Sequence, residues 1–178
     1  MKTHVLAALI AIAVSAHAAE QPKAAPKAPA TFGAEFLANL ADVESKLVKL
    51  AEAIPADKYT WRPAPEVRSI SEVFMHVAGS NYFLVTFLGV TPPESMPDNI
   101  ESITEKQRVV AELKGSFEHL RKAAVATKES ELEKPVSMFG NATTERGVLV
   151  TVLSHLHEHL GQSIAYARMN GVKPPWSE

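Results

Sequence analysis

Between Phe32 and Asn170 the apolar residues recur every three or four positions in four separate stretches, the period of helices with one buried face. Phe36, Leu40, Val43, Leu47, Leu50 and Ile54 form the first seam, which predicts a helix from Phe32 to Ile54 ended by Pro55. Pro63 and Pro65 make residues 56–68 a loop. Ser69-Ile70-Ser71-Glu72 is a capping box that opens a second helix running to Leu88, with Val73, His76, Ser80, Phe83 and Phe87 on its seam. Pro92, Pro93 and Pro97 break the chain again. A second box, Ser102-Ile103-Thr104-Glu105, predicts the start of helix three, with Val110, Leu113, Phe117, Leu120 and Ala124 inward. Residues 131–141, around Pro135 and Gly140, read as a loop. Helix four spans Thr144 to Asn170 and stops at Gly171, with Pro174 and Pro175 beyond. Its seam is Val148, Val152, His155, His159, Gln162, Tyr166 and Met169. No stretch alternates at period two long enough to predict a strand. The expected fold is therefore all-α, an up-down four-helix bundle over residues 31–178.

The first 30 residues follow a different pattern. Lys2 precedes an unbroken apolar run from Val5 to Val14, and Ala16-His17-Ala18 places small residues at the −3 and −1 positions of a cut after Ala18. Residues 1–18 thus read as a secretory signal peptide. The run is too short for a stable membrane anchor, which needs about 20 apolar residues. Residues 19–30, AEQPKAAPKAPA, form an Ala/Pro/Lys-rich linker. The mature chain is expected in the periplasm or secreted.

Composition narrows the chemistry. Lys and Arg number 18 against 20 Asp and Glu, a balance that argues against a nucleic-acid partner. With no cysteine, disulfides, thiolate metal sites and cysteine nucleophiles are excluded. A transition metal must sit on His and carboxylates.

Three histidines occupy positions where a bundle places apolar residues. His155 and His159 lie one turn apart on the helix-four seam, so both imidazoles can reach one ion. His76 takes an inward position on helix two, beside the small Gly79 and Ser80. Burying three imidazoles together costs several kcal/mol unless a partner satisfies them, and a divalent cation does so. His157 falls on the opposite side of helix four from His155, and His119 lies off the helix-three seam; both are expected at a rim or in solvent.

The run His155-Leu156-His157-Glu158-His159-Leu160-Gly161-Gln162, followed by Tyr166, Arg168, Gly171 and Pro174-Pro175, resembles the end of a DinB-like (damage-inducible) family domain. Tyr59-Thr60-Trp61-Arg62-Pro63, Arg68-Ser69 and His76-Val77-Ala78-Gly79 match that family's first loop and helix-two histidine. The resemblance implies a four-helix bundle, often a homodimer, with a divalent metal on His76, His155 and His159. It also implies kinship with thiol-cofactor S-transferases and a maleylpyruvate isomerase. The export signal sets this chain apart from enzymes that use cytoplasmic thiols.

Three neutral imidazoles leave a coordination position open, the arrangement of a catalytic zinc. Water bound there has its pKa lowered to about 7. Zn²⁺ and Ni²⁺ both suit imidazole. Gln162 is placed to orient a bound water or substrate, and Tyr166 and Arg168 to contact a carboxylate; Glu72 serves its capping box. The helix seams carry no general base. The function expected is that of an exported, metal-dependent hydrolase or transferase acting on a small molecule. The alternative is a non-catalytic metal-binding or stress-related bundle.

Overall fold

A computed structural model describes residues 31–177. The expected signal peptide (1–18) and linker (19–30) lie outside the described residues. Helix α1 spans Phe32–Ala53 and opens where the Thr31 side chain accepts from the Ala34 amide. Phe36, Leu40, Val43, Leu47 and Leu50 are buried, as the first seam predicts. Lys106 Nζ donates to the carbonyls of Glu52 and Ile54 (2.7 and 2.8 Å), and the Tyr59 hydroxyl to that of Ala51 (2.6 Å). Carbonyls that a helix end leaves unpaired are thereby satisfied.

Helix α2 spans Ile70–Leu84 and continues as a 3-10 turn over Val85–Leu88. Its capping box forms in full: the Glu72 amide donates to Ser69 Oγ, and the Ser69 amide to Glu72 Oε2. The buried face is wider than the predicted seam and turned from it. Val73, Phe74, Val77, Ala78 and Asn81 are buried, whereas Phe83, expected inside, is 49% exposed. The cause is that α2 is packed on two sides, by α3 and α4, and also covered by the turn Ile100–Ser102. His76 consequently sits at the margin of the buried face, toward α4.

Helix α3 spans Lys106–Ala126, its cap three residues later than the expected Ser102. Glu105 is itself the cap, accepting from the amides of Gln107 and Arg108. Residues Ile100 and Ile103, placed in and next to a 3-10 turn, are buried instead of opening the helix. Val109, not Val110, heads the buried stripe that continues through Leu113, Phe117 and Leu120. Helix α4 spans Glu145–Met169, with Thr144 as its cap and Gly171 beyond its end at φ 73°. Met169, expected on the seam, is 64% exposed at the last turn.

The 131–141 loop contains a strand pair that the sequence reading did not anticipate. Strands β1 (Pro135–Met138) and β2 (Asn141–Thr144) pair antiparallel, with Met138 opposite Asn141. The two-residue turn puts Phe139 at φ 52° and Gly140 at φ 79°. Left-handed backbone costs a residue with a Cβ about 1–2 kcal/mol. The Phe139 ring meets Phe87 edge-to-face and Phe83 at a tilt, with centroids 5.2 and 6.0 Å apart, and this contact offsets part of that cost.

Helix directions follow from contacts at the ends. The start of α4 lies by the start of α1, with the Arg146 guanidinium 4.7 Å from the Phe32 ring. Helix α3 runs opposite to α1: Lys106 meets the end of α1, while Glu129, just past α3, receives the Phe32 amide. Helices α2 and α3 run the same way, since Arg68 meets Glu101 at one end and Asn81 meets Ser116 further on. The chain therefore goes up, down, down, up. Strict alternation is broken once, because residues 89–105 return the chain to the starting end of α2. Helices α1 and α2 lie on one diagonal, α3 and α4 on the other. Among the described residues, no helix is long and apolar enough to cross a membrane.

Candidate metal centre

The antiparallel contact of α2 with α4 brings His76 against both histidines of α4. Ring centroids lie 4.4 Å apart for His155–His159, 4.8 Å for His76–His159 and 5.2 Å for His76–His155. One nitrogen from each ring falls within 4.8 Å of the others, so the trio is positioned to hold a metal ion.

Outer hydrogen bonds decide which nitrogens face inward. His76 Nδ1 lies 2.9 Å from Glu101 Oε1, and a carboxylate only accepts, so Nδ1 carries the proton. His159 Nδ1 lies 2.8 Å from Gln162 Oε1, while the Gln162 amide nitrogen donates to the Tyr166 hydroxyl at 3.0 Å. The amide oxygen faces His159, whose Nδ1 donates to it. Both rings keep an Nε2 lone pair. His155 Nε2 faces His76 Nε2 at 3.2 Å, and His155 Nδ1 is buried with no protein partner. With His76 protonated on Nδ1, the 3.2 Å contact is a hydrogen bond from His155 Nε2 to His76 Nε2, and a cation between the rings would replace the shared proton. The donor set fits a divalent ion, and outer bonds of this kind are the usual support of metal-ligating histidines.

The family model described as the DinB superfamily matches residues 39–163, a span that includes all three histidines and Gln162. The chain belongs to the DinB superfamily. Solved structures share the fold of this DinB chain at low identity. A DinB-like protein from Bacillus cereus has a TM-score of 0.67 at 16% identity, covering 80% of this chain and 95% of its own. A DinB-like protein from Bacillus subtilis has a TM-score of 0.64 at 21% identity, covering 78% and 93%. A conserved protein from Enterococcus faecalis has a TM-score of 0.67 at 16% identity, covering 79% and 98%. No curated protein matches the chain.

The remaining site expectations divide. Gln162 belongs to the centre, but as the acceptor for His159. Tyr166 is buried one step further out, with the edge of Trp61 against its ring at 5.5 Å. Arg168 does not join the trio: it is exposed near the end of α4, in a separate shallow cleft with Gly171, Lys173 and Pro174. His157 is exposed. His119 is half-buried against Tyr82 on α3.

Glu101 and Arg68 were not legible as site residues. Arg68 Nε donates to Glu101 Oε2 at 3.2 Å, completing an Arg68–Glu101–His76 chain. Gly79 helps place it: a Cβ there would come within 3.2 Å of Ile100 Cγ2, so the glycine admits Ile100 and sets the adjacent Glu101 over His76. The signals available were the Arg68-Ser69 match to the family's first loop and the pair Ile100 and Ile103, apolar residues in an otherwise polar stretch. A cleft of about 610 Å³ opens beside the centre, lined by Arg62, Arg68, Glu72, Glu101 and Gln162 among others.

Burial pushes His155 down to about 4, helped by the charges of His159, His76 and Arg68. His159 is likewise lowered, mainly by burial. Burial would raise Glu101, but hydrogen bonds from His76 and Arg68 outweigh it and hold the carboxyl low. Both α4 histidines are therefore neutral, as ligation requires. In the metal-free protein, the unfolded chain protonates His155 near its ordinary value of about 6.5, and the folded chain resists until about 4. The unfolded state gains protons first, so this group's contribution to stability is lost as pH falls through that window. Thermal midpoints of the metal-stripped protein should fall between pH 6.5 and 4, and His155→Gln should flatten the fall. An unchanged slope in the variant rejects this origin.

Glu101→Gln keeps the shape but can present an amide nitrogen to His76 in place of the acceptor. Metal affinity should fall about 10–100-fold, as for other outer-bond losses. Competition titration against a chelator measures it, and an unaltered constant would show that Glu101 does not support the ligand.

Proposed function

We propose that this DinB-superfamily chain is an exported protein that binds one divalent ion, Zn²⁺ or Ni²⁺, through His76, His155 and His159, and that it acts on a small molecule as a hydrolase or transferase. The observation that carries the reading is the pair of outer bonds, from Glu101 and Gln162, that turn the Nε2 atoms of His76 and His159 inward. Three neutral ligands leave room for a further one. An ion held there supplies Lewis-acid chemistry, polarising an oxygen or sulfur brought to the open position. Glu101 orients His76, Gln162 orients His159, and the cleft alongside gives a small molecule access.

Glu101 also favours the second reading. Its lowered pKa suits an orienting carboxylate and makes it a weak proton acceptor, so the centre has no strong general base. A non-catalytic metal-binding or stress-related bundle is consistent with that.

Zn²⁺-loaded, Ni²⁺-loaded and metal-stripped protein should be compared on ester substrates and in thiol transfer. Turnover that appears with metal and disappears on stripping supports the enzyme. Full occupancy without turnover on any substrate leaves the binding bundle. Export is tested separately: N-terminal sequencing of the native protein should begin at or next to Ala19, and an intact Met1 in the cytoplasmic fraction would reject it.

A further inference from the structure

We infer that the cleft beside the trio is the binding site for a small molecule carrying an oxyanion, a carboxylate or a phosphate, held by Arg68 and Arg62. The inference deepens the proposed function and rests on it for the metal's share of the charge.

The cleft's volume of about 610 Å³ lies within the range of small-molecule sites. Two of its walls, Glu101 and Gln162, are the groups that hold His76 and His159. A molecule lodged there is one side chain removed from the trio. Arg68 reaches the trio through Glu101, which accepts from Arg68 Nε at 3.2 Å and from His76 Nδ1 at 2.9 Å.

Both guanidiniums are already in position. Arg62 donates to the Val67 carbonyl at 3.0 Å and to Glu72 at 2.8 Å. Arg68 grips Glu101 through Nε at 3.2 Å and a terminal nitrogen at 3.5 Å. A guanidinium has five N–H groups, so each of the two retains donors with no protein acceptor among the described residues. The loop that carries them is pinned: the Ile70 amide donates to the Trp61 carbonyl at 3.0 Å and the Ser71 amide to that of Tyr59 at 2.8 Å. Trp61 also leans on Tyr166. Donors fixed in advance lose less entropy on binding, and the planar fork matches the spacing of carboxylate and phosphate oxygens.

The charges give the inference a gradient. Glu66, Glu72 and Glu101 line the same cleft and outnumber the two arginines, so without metal its walls are slightly negative. Neutral imidazoles add no negative charge, and a divalent ion beside the cleft reverses the balance. Anion binding should therefore be weak in the metal-free chain and stronger in the loaded one.

Succinate and inorganic phosphate are titrated into the full chain, metal-free and Zn²⁺-loaded. The readout is the ¹⁵N–¹H signals of Arg62 and Arg68 Nε, and zinc per chain is measured on the same samples. Wild type should show saturable shifts of both signals, tighter with zinc. Arg62→Ala, which leaves the Arg68–Glu101–His76 chain intact, should weaken binding about tenfold at unchanged zinc content, the worth of one charge-assisted contact. Arg68→Lys, which keeps the charge and loses the fork, should weaken it as well. The tighter of the two anions identifies carboxylate or phosphate as the group recognised. No saturable shift for either anion in either form overturns the inference, as does wild-type affinity in both variants. Equal affinity with and without zinc at full occupancy also overturns it, by placing the anion away from the trio. A chain that takes up no zinc but still binds anions through the arginines sinks the metal reading alone.

Discussion

His155→Ala should empty the metal centre. The ring supplies an Nε2 that faces His76 Nε2 at 3.2 Å, and among the described residues no fourth histidine or acidic group belongs to the cluster. Losing one of three ligands leaves a two-histidine site, and His76→Ala or His159→Ala should have the same consequence. His157→Ala and His119→Ala serve as controls. The first ring is exposed, with Nδ1 on the Leu153 carbonyl, and the second sits on α3 against Tyr82. Metal per chain, measured on untagged protein after supply of Zn²⁺ or Ni²⁺, should fall from near one to near zero in the first three variants and hold in the controls. Equal metal in all five would make the trio a buried polar cluster and remove the main support for an enzyme.

The second large effect lies in the core. Phe117 and Leu47 are fully buried in facing helices, α3 and α1. Phe117→Ala should cost about 3–5 kcal/mol and Leu47→Ala about 2–5 kcal/mol, since the rigid bundle closes only partly around the cavity. Val152, also fully buried, carries fewer atoms and should cost less. Phe83→Ala should cost far less than Phe117→Ala despite the same chemistry, because about half of Phe83 is already in water. Denaturant unfolding of the four variants tests the ranking. A Phe83 variant as unstable as the Phe117 variant would reject the observed register of α2.

That pair also shows where sequence periodicity stops. In α1 the seam names the buried residues correctly, because that helix buries a single stripe. In α2 it does not, because a helix flanked by two others and a covering turn buries most of its circumference, and a narrow stripe no longer marks the inside. His76 was still found, since a histidine among apolar residues stands out whichever face is chosen. On α4 the four-residue spacing of His155 and His159 was enough, and the helix register carried Gln162 and Tyr166 along. Glu101 and Arg68 escaped because they lie in loops, where position depends on the chain's path and not on a repeat. The Ser102–Glu105 box does not open the helix because Ile103 is extended, at φ −75° and ψ 117°, and ends the preceding 3-10 turn. The hairpin escaped because its strands have four residues each, too few to display alternation.

The distance along the chain between the two halves of the centre has its own consequence. His76 and His155 are 79 residues apart, and everything between them, including α3 and the hairpin, lies inside the loop that a shared ion would close. A disulfide is the other covalent-strength way to close such a loop, and this chain has no cysteine with which to form one. An ion that binds only the folded form stabilises it by mass action, about 2.7 kcal/mol when the free ion stands a hundredfold above its dissociation constant. The lifetime of the fold would then follow the free-ion concentration of its compartment, and metal scarcity would be felt as turnover of the protein itself before it was felt as loss of any reaction.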